Sequence, residues 1–146
     1  METLSEITIN YKPDFKMSDL PEIINSKDAE KRIREVWSDK LQYIEEIYVL
    51  LLNSANKAIG FSKISSGGIA GTVVDVKVVF QTALKSNATS LIMCHNHPSG
   101  NLKPSDADIK VTKNIKQAGK IMDIALVDHL ILTNEGYYSF ADDGMI

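Results

Sequence analysis

The sequence predicts an α/β sandwich, because segments with strand character alternate with segments of helical periodicity along its 146 residues. Two apolar runs, "IYVLLLN" at 47–53 and "TSLIMC" at 89–94, are short and bounded by polar residues. Such runs are typical of strands that are buried on both faces of a sheet. The length suits a single domain with a sizeable core.

Residues 1–24 are predicted to form an irregular N-terminal arm, because Pro13, Pro21 and scattered charges interrupt any periodic pattern. One short strand, "ITINY", is expected within this arm. A single domain is then expected to fill residues 25–146.

The first helix of this domain is predicted to begin near Asn25 or Ser26, since either side chain can cap it. Its buried stripe is Ala29, Ile33, Val36 and Trp37. The buried strand at 47–53 follows, and "KAIGFSKI" at 57–64 is expected to be its hairpin partner. "SSGGIAG" at 65–71 is then expected to be a mobile loop that flanks the candidate functional site. Its glycines are Gly67, Gly68 and Gly71.

Asp75 is expected to cap a second helix, whose apolar residues recur at helical spacing. These residues are Val76, Val79, Phe80, Ala83 and Leu84. A third helix is predicted over 105–118, with Gly119 placed to end it. "IALVDHLILT" at 124–133 supplies one or two strands, and "YYSF" at 137–140 a last one.

Charge and composition narrow the class of protein. The net charge is −3 and basic residues form no long run, so a nucleic-acid partner is not expected. The lone Cys94 excludes an internal disulfide, fits a reducing compartment and is expected to be buried in the core. The polar start "METLSEITINYK" is unlike a signal peptide, and the longest apolar run, 47–52, is too short to cross a bilayer. A cytoplasmic protein without a membrane partner is expected.

The segment "HNHPSGNLKPSDAD" at 95–108 contains the candidate metal-binding residues. If the strand at 89–94 continues, His95 and His97 project from the same face at its carboxyl end. The turn "PSGNLKP" then brings Asp108, in the first turn of the next helix, back over them. Two imidazoles and one carboxylate can hold Zn²⁺ and leave its fourth position open for water, which is typical of catalytic zinc.

An alternative explanation needs no metal. Ser105 and Asp108 have the spacing of a capping box, which alone accounts for both residues. The two histidines can be polar groups at a strand end. His129 is likewise open to two interpretations, either a group hydrogen-bonded near the site or a core histidine with its partners satisfied.

The full pattern, H-x-H followed by seven residues and then S-x-x-D, resembles the JAMM metalloprotease motif of the JAB/MPN domain, and more closely its RadC-like branch. "VLLLN", "GGIAGTVVD", "QAGK" and "DHLIL" extend the resemblance from about residue 45 to residue 140. It implies a three-layer α-β-α sandwich with a mixed sheet, the cytidine-deaminase-like architecture. It also implies that His95, His97 and Asp108 bind Zn²⁺ and that Ser105 stabilises an oxyanion.

The family also uses a glutamate as general base at the start of the first core strand. The strand pattern alone leaves Glu45 and Glu46 equally suitable, although they would point to opposite faces. In the family this glutamate stands eight residues before the residue that closes "LLLN", here Asn53, which selects Glu45.

The resemblance implies a zinc metallopeptidase or isopeptidase, with a peptide or protein as substrate. Two features depart from the RadC-like pattern. "VDVKVV" at 74–79 stands where many members have "VHPREV", and no helix-hairpin-helix pattern precedes Asn25. The alternative function is a non-catalytic JAB-like binding module associated with DNA repair or mobile elements.

Overall fold

The computed structural model describes residues 3–67 and 74–146. Within these ranges, three α-helices and a short 3₁₀ helix, Met17–Asp19, accompany five strands. The α-helices are α1 (Ser26–Val36), α2 (Val76–Lys85) and α3 (Asp106–Met122). The strands are β1 (Glu46–Leu52), β2 (Ala58–Ser66), β3 (Ser90–Asn96), β4 (Ala125–Leu132) and β5 (Tyr137–Ser139). No helix in the described part is both long and apolar enough to cross a bilayer.

The five strands form one mixed sheet in the order β2-β1-β3-β4-β5. β1 is antiparallel to both β2 and β3, and β5 is antiparallel to β4. β3 and β4 are parallel, which requires a crossover connection, and α3 supplies it. The predicted α/β fold with a mixed sheet is confirmed.

Each face of the sheet is covered by helices, and the alternation of side chains along the strands divides the core in two. Val49, Leu91 and Met93 point to the face covered by α2 and α3. Leu50, Ile92 and Cys94 point to the face covered by α1. Every residue of β1 and β3 is buried, because both faces of these central strands are covered.

Side-chain caps begin the first two helices where the sequence predicts them. The Asn25 side chain accepts the backbone N–H of Asp28 at 2.9 Å, and Asp75 accepts that of Lys77 at 2.9 Å. The predicted hairpin of β1 and β2 is also present. The run at 124–133 contains a single strand, β4.

Two predictions are wrong. Residues 7–11 adopt no strand, and Ile7 and Ile9 are exposed rather than packed on a sheet. Gly119 does not end α3, which continues to Met122 and is followed by Asp123 in the left-handed conformation. A Cβ atom at residue 119 would lie 2.2 Å from the Ile124 carbonyl oxygen, so this glycine permits a close backbone approach instead.

The predicted glycine-rich loop falls largely outside the described residues, which include Gly67 but not Gly68 or Gly71. The backbone N–H of Gly67 donates to the Glu45 carbonyl oxygen at 2.9 Å. This bond joins the end of β2 to the start of β1.

Candidate metal centre

His95 and His97 lie at the carboxyl end of β3. His95 has the same alternation as Leu91 and Met93, so it faces α3, and it is buried. The backbone N–H of His97 makes the last bond to β4, donating to the Leu132 carbonyl oxygen at 2.9 Å. Because Pro98 has no N–H, the ladder stops there and the chain turns towards α3.

Asp108 reaches the histidines from the first turn of α3. Its Oδ1 lies 3.1 Å from His95 Nε2, and its Oδ2 lies 3.2 Å from His97 Nε2. The capping box is also present, because Ser105 Oγ accepts the Asp108 N–H at 3.1 Å and Asp108 Oδ2 accepts the Ser105 N–H at 2.8 Å. The cap therefore orients the carboxylate towards the histidines and does not compete with that contact.

Glu45 joins this cluster and Glu46 does not. One ligand atom from each of Glu45, His95, His97 and Asp108 lies within 4.8 Å of the others. Glu46, the next residue, is fully buried and forms an ion pair with Lys63 at 2.8 Å. The two glutamates diverge as strand alternation requires.

Buried Asn96 connects the histidine segment to the segment that carries Glu45. Its Oδ1 accepts the backbone N–H of Glu46 at 2.7 Å. Its Nδ2 donates to the carbonyl oxygens of Leu41 at 2.7 Å and Ile44 at 2.8 Å. Sequence analysis did not predict a role for Asn96. The signal was present, because an amide side chain in a buried strand must find hydrogen-bond partners.

The electrostatics of the cluster favour a cation. Burial raises the pKa of Asp108, but hydrogen bonds from His95 and His97 outweigh it and hold this pKa far below its usual range. The Asp108 carboxylate in turn raises the pKa of His97. The carboxylate is thus ionised, and the site attracts either a proton or a metal ion.

The donor set and its spacing fit a divalent metal ion. His97 Nδ1 donates to the Asn101 carbonyl oxygen at 2.6 Å, which leaves Nε2 as the coordinating nitrogen of the neutral ring. His97 Nε2 lies 2.9 Å from His95 Nε2. Neighbouring ligands of a tetrahedral zinc ion are about 3.3 Å apart, given bond lengths of about 2.0–2.1 Å. The contacts between His95, His97 and Asp108 are close to that spacing.

Two further residues extend the cluster into the core. His129 Nε2 lies 2.7 Å from His95 Nδ1. This contact agrees with the interpretation of His129 as a group hydrogen-bonded near the site. Thr112 Oγ1 lies 2.6 Å from His129 Nδ1. Sequence analysis did not single out Thr112, although it stands four residues after Asp108 and therefore on the same face of α3.

Cys94 is buried on the opposite face of β3, against the α1 side, and burial raises the pKa of its thiol. It is therefore not a ligand. Beside His97, a cavity of about 330 Å³ opens to the surface. Its lining includes the polar residues Gln42, Thr133, Asn134 and Glu135.

Comparisons with known proteins identify relatives over most of the chain. The model of the RadC-like JAB domain matches residues 23–145. A UPF0758 protein of Flavobacterium johnsoniae is 50% identical over 126 residues, which cover 86% of this chain and 54% of that protein. UPF0758 proteins of Porphyromonas gingivalis and Clostridium kluyveri are 37% and 34% identical, over 92% and 98% of this chain. The chain spans 59% and 61% of the lengths of these two relatives.

Proposed function

This chain belongs to the RadC-like JAB domain family, and on that premise we propose that it is a zinc-dependent hydrolase of peptide or isopeptide bonds. The observation that carries the proposal is the convergence of His95, His97 and Asp108 on one point with the Glu45 carboxylate beside them. Two imidazoles and one carboxylate are a donor set of catalytic zinc, which keeps a position open for water.

His95, His97 and Asp108 would hold the zinc ion. When bound, zinc would bring the pKa of water close to about 7 and polarise a substrate carbonyl. The protein contributes the geometry: β3 and the residue that follows it carry the two imidazoles, and the capped first turn of α3 carries the carboxylate. The cavity beside His97 would admit the substrate chain.

Glu45 would act as the general base and then as the general acid. Its half-buried carboxylate stands within 4.8 Å of the ligand atoms, close enough to take a proton from water at the site and hand it to the leaving amine. Its backbone is held by the hydrogen bond from Gly67, so the carboxylate starts from a defined position.

Ser105 would stabilise the oxyanion that develops on the attacked carbonyl. Its described hydrogen bond uses Oγ as an acceptor, and a hydroxyl that accepts still has its own proton to donate. Removing one such donor costs about 3 kcal/mol of transition-state stabilisation in related chemistry. Ser105→Ala would also weaken the cap of α3, so the stability of this variant has to be measured together with its kcat.

The setting of the reaction is proposed on the same basis. A substrate that is a peptide or protein, and not a nucleic acid, agrees with the net charge of −3. A reducing, cytoplasmic compartment agrees with the single buried thiol of Cys94. The chain covers 54% and 59% of the lengths of two curated relatives, so the activity and substrate of any longer protein that contains this domain belong to the same proposal.

Metal analysis and a matched pair of glutamate variants test the proposal. The purified protein is expected to bind one zinc ion, and His95→Ala and Asp108→Ala are expected to lose it. Glu45→Gln should keep zinc and lose cleavage of a panel of peptides and lysine-linked isopeptides, whereas Glu46→Gln should keep both. Zinc binding equal in wild type and Asp108→Ala would contradict the metal site. Zinc binding without any cleavage would favour the non-catalytic binding module.

A further inference from the structure

We propose that the outer side of α3 is a docking surface for an acidic segment of a polypeptide partner. The basic part of this surface, the lysine stripe, consists of Lys110, Lys113, Lys116 and Lys120. A cavity at the end of the stripe takes an apolar side chain of the same segment. The inference concerns binding and not cleavage, so it stands apart from the proposed function.

The spacing of the lysine stripe places its members along one side of α3. They follow one another at intervals of three, three and four residues, and residues at such intervals are neighbours on a helix surface. Lys110, Lys113 and Lys120 are exposed, and Lys116 is half-buried. With a rise of about 1.5 Å per residue, the stripe is about 15 Å long. That length matches about five residues of an extended peptide.

The basic residues of the chain are segregated onto one layer of the fold. Residues 76–85 and 109–122 form most of the two helices that cover one face of the sheet. They contain six of the 16 basic residues of the chain and none of its 19 acidic residues. The acidic residues of α3, Asp106 and Asp108, both lie in its first turn. The net charge of −3 therefore conceals a basic layer on an otherwise acidic protein.

The positive charges of the lysine stripe are not neutralised within the fold. No carboxylate of the described residues forms an ion pair with any of its four members. In α1, by contrast, Lys27 and Arg34 pair with Glu30 at 3.3 and 2.7 Å, and Arg32 pairs with Glu35 at 3.2 Å. The stripe is thus free to pair with carboxylates of another molecule.

The helix itself gains little from the lysine stripe. The helix dipole favours Lys120 in the last turn, but its effect falls off within that turn and does not reach Lys110 or Lys113. Like charges three or four residues apart also destabilise a helix. An acidic partner would offset this repulsion.

The cavity at the end of the stripe adds an apolar component. It has a volume of about 390 Å³, and its lining combines the two last lysines of the stripe with apolar side chains. The lining residues are Thr89, Lys116, Gly119, Lys120, Asp123, Ile124, Ala125 and Leu126. Two lysines against one aspartate leave the lining basic. An acidic segment with one aliphatic side chain therefore fits the stripe and the cavity together.

These features favour a polypeptide over a nucleic acid. Single-stranded nucleic acids bind by stacking their bases on aromatic side chains, and none of the described residues that line the cavity is aromatic. A nucleic-acid-binding domain normally has a basic net charge, whereas this chain has −3. Outside the basic layer, a long polyanion would meet acidic surface, and a short acidic segment would not.

Fluorescence anisotropy with a labelled oligoglutamate peptide tests the lysine stripe. The protein is treated with EDTA, so neither zinc nor turnover enters the result. Wild type is expected to bind at low salt and to release the peptide near 1 M salt, where the Debye length is about 3 Å. The combined variant Lys110→Gln, Lys113→Gln, Lys120→Gln should bind about tenfold more weakly, because each exposed ion pair contributes modestly.

The matched control is the combined variant Lys12→Gln, Lys16→Gln, Lys31→Gln. It removes three exposed lysines outside α3, so it changes the net charge equally and should keep the wild-type affinity. The stripe variant should unfold at a temperature no lower than wild type, because it removes like-charge repulsion along α3. Weaker binding then reports the lost contacts and not a lost fold.

A second peptide, with one leucine among the glutamates, tests the cavity. Wild type should bind it more tightly than the all-glutamate peptide. Ala125→Phe fills the cavity from an exposed position without changing the charge, and it should abolish this preference. Equal affinity of wild type for the two peptides would remove the cavity from the docking surface.

The inference is overturned if wild type does not bind the glutamate peptides, or if the stripe variant and its control bind them equally. It is also overturned if duplex DNA binds more tightly than the peptides and loses its affinity in the stripe variant, because the surface would then be a nucleic-acid site. None of these outcomes bears on zinc binding or cleavage, which test the proposed function.

Discussion

The side-chain oxygen of Asn96 accepts the backbone N–H of Glu46 at 2.7 Å, and this bond ties the two histidines to the segment that carries Glu45. The amide nitrogen donates to two carbonyl oxygens of the same segment, those of Leu41 and Ile44. Three hydrogen bonds from one side chain thus set the distance between the predicted base and the predicted ligands. The side chain that separates the two histidines in sequence aligns Glu45 with them in space.

Asn96→Ala should therefore impair both stability and chemistry. It leaves the buried N–H of Glu46 without its partner, which costs about 1–3 kcal/mol of unfolding free energy. It also releases residues 41–46, so turnover should fall more than zinc affinity. Urea unfolding and zinc titration measure the two effects.

The control for this variant is Asn53→Ala. Asn53 Oδ1 also accepts two backbone N–H groups, those of Ala55 and Lys57, but in the β1–β2 turn. Its loss should lower stability and leave zinc affinity unchanged, and a substrate, once found, should be turned over normally. An Asn96→Ala protein as stable as wild type would show that the three bonds contribute little.

Gly119→Ala should destabilise the protein, against the usual trend for helices. Alanine in place of a helical glycine normally stabilises by about 0.5–1 kcal/mol. Here the new Cβ would meet the Ile124 carbonyl oxygen at 2.2 Å, and that oxygen belongs to backbone that cannot rotate away. Overpacking of this kind costs about 1–3 kcal/mol, so the clash should win.

Thermal unfolding of Gly119→Ala beside Gly60→Ala checks this prediction. A Cβ at Gly60 would have no atom within 4 Å, so that variant should unfold close to wild type. A more stable Gly119→Ala protein would mean that the end of α3 adjusts at little cost.

Gly119 also shows where prediction from sequence stops. A glycine after an apolar helical pattern is typical of a helix end, but here it is required by the approach of Ile124, which belongs to the next connection. The strands of the sheet, the helix caps and the placement of the two histidines beside Asp108 follow local periodicity and short spacings, whereas Glu45 was selected over Glu46 by the family resemblance alone. Asn96 and Thr112 could not be found that way, because their partners are set by packing between separate segments.

Zinc should raise the thermal stability of the protein. A ligand that binds only the folded state stabilises it by about 2.7 kcal/mol when present at 100 times its Kd. For a domain of this size that corresponds to a rise in Tm of roughly 5–10 °C. Differential scanning calorimetry with added zinc, then with EDTA, should show the rise and its reversal.

The variant Asp108→Ala provides the comparison for that experiment. It removes the carboxylate that contacts both histidines, so its Tm should not respond to zinc. An equal rise in both proteins would place the zinc elsewhere.

Glu46 should contribute to the unfolding free energy of the protein only while its carboxyl group is ionised. Burial raises the pKa of this carboxyl, but hydrogen bonds from Lys63 and Ser38 outweigh burial, so the pKa lies below its usual value. A lowered folded-state pKa gives a contribution that is complete above the unfolded-state pKa and is lost as pH falls through the folded-state value. Glu46→Gln has no such contribution to lose.

The unfolding free energies of wild type and Glu46→Gln should therefore differ most near pH 7 and converge as the pH falls below 4.5, the ordinary pKa of a glutamate. Glu35→Gln is the control, because Glu35 pairs with Arg32 at the surface and its removal should have little effect at any pH. Urea unfolding at four pH values measures the difference. A gap that widens as pH falls would mean that burial outweighs Lys63 and Ser38, and that the carboxyl beside the predicted base is held with a raised pKa.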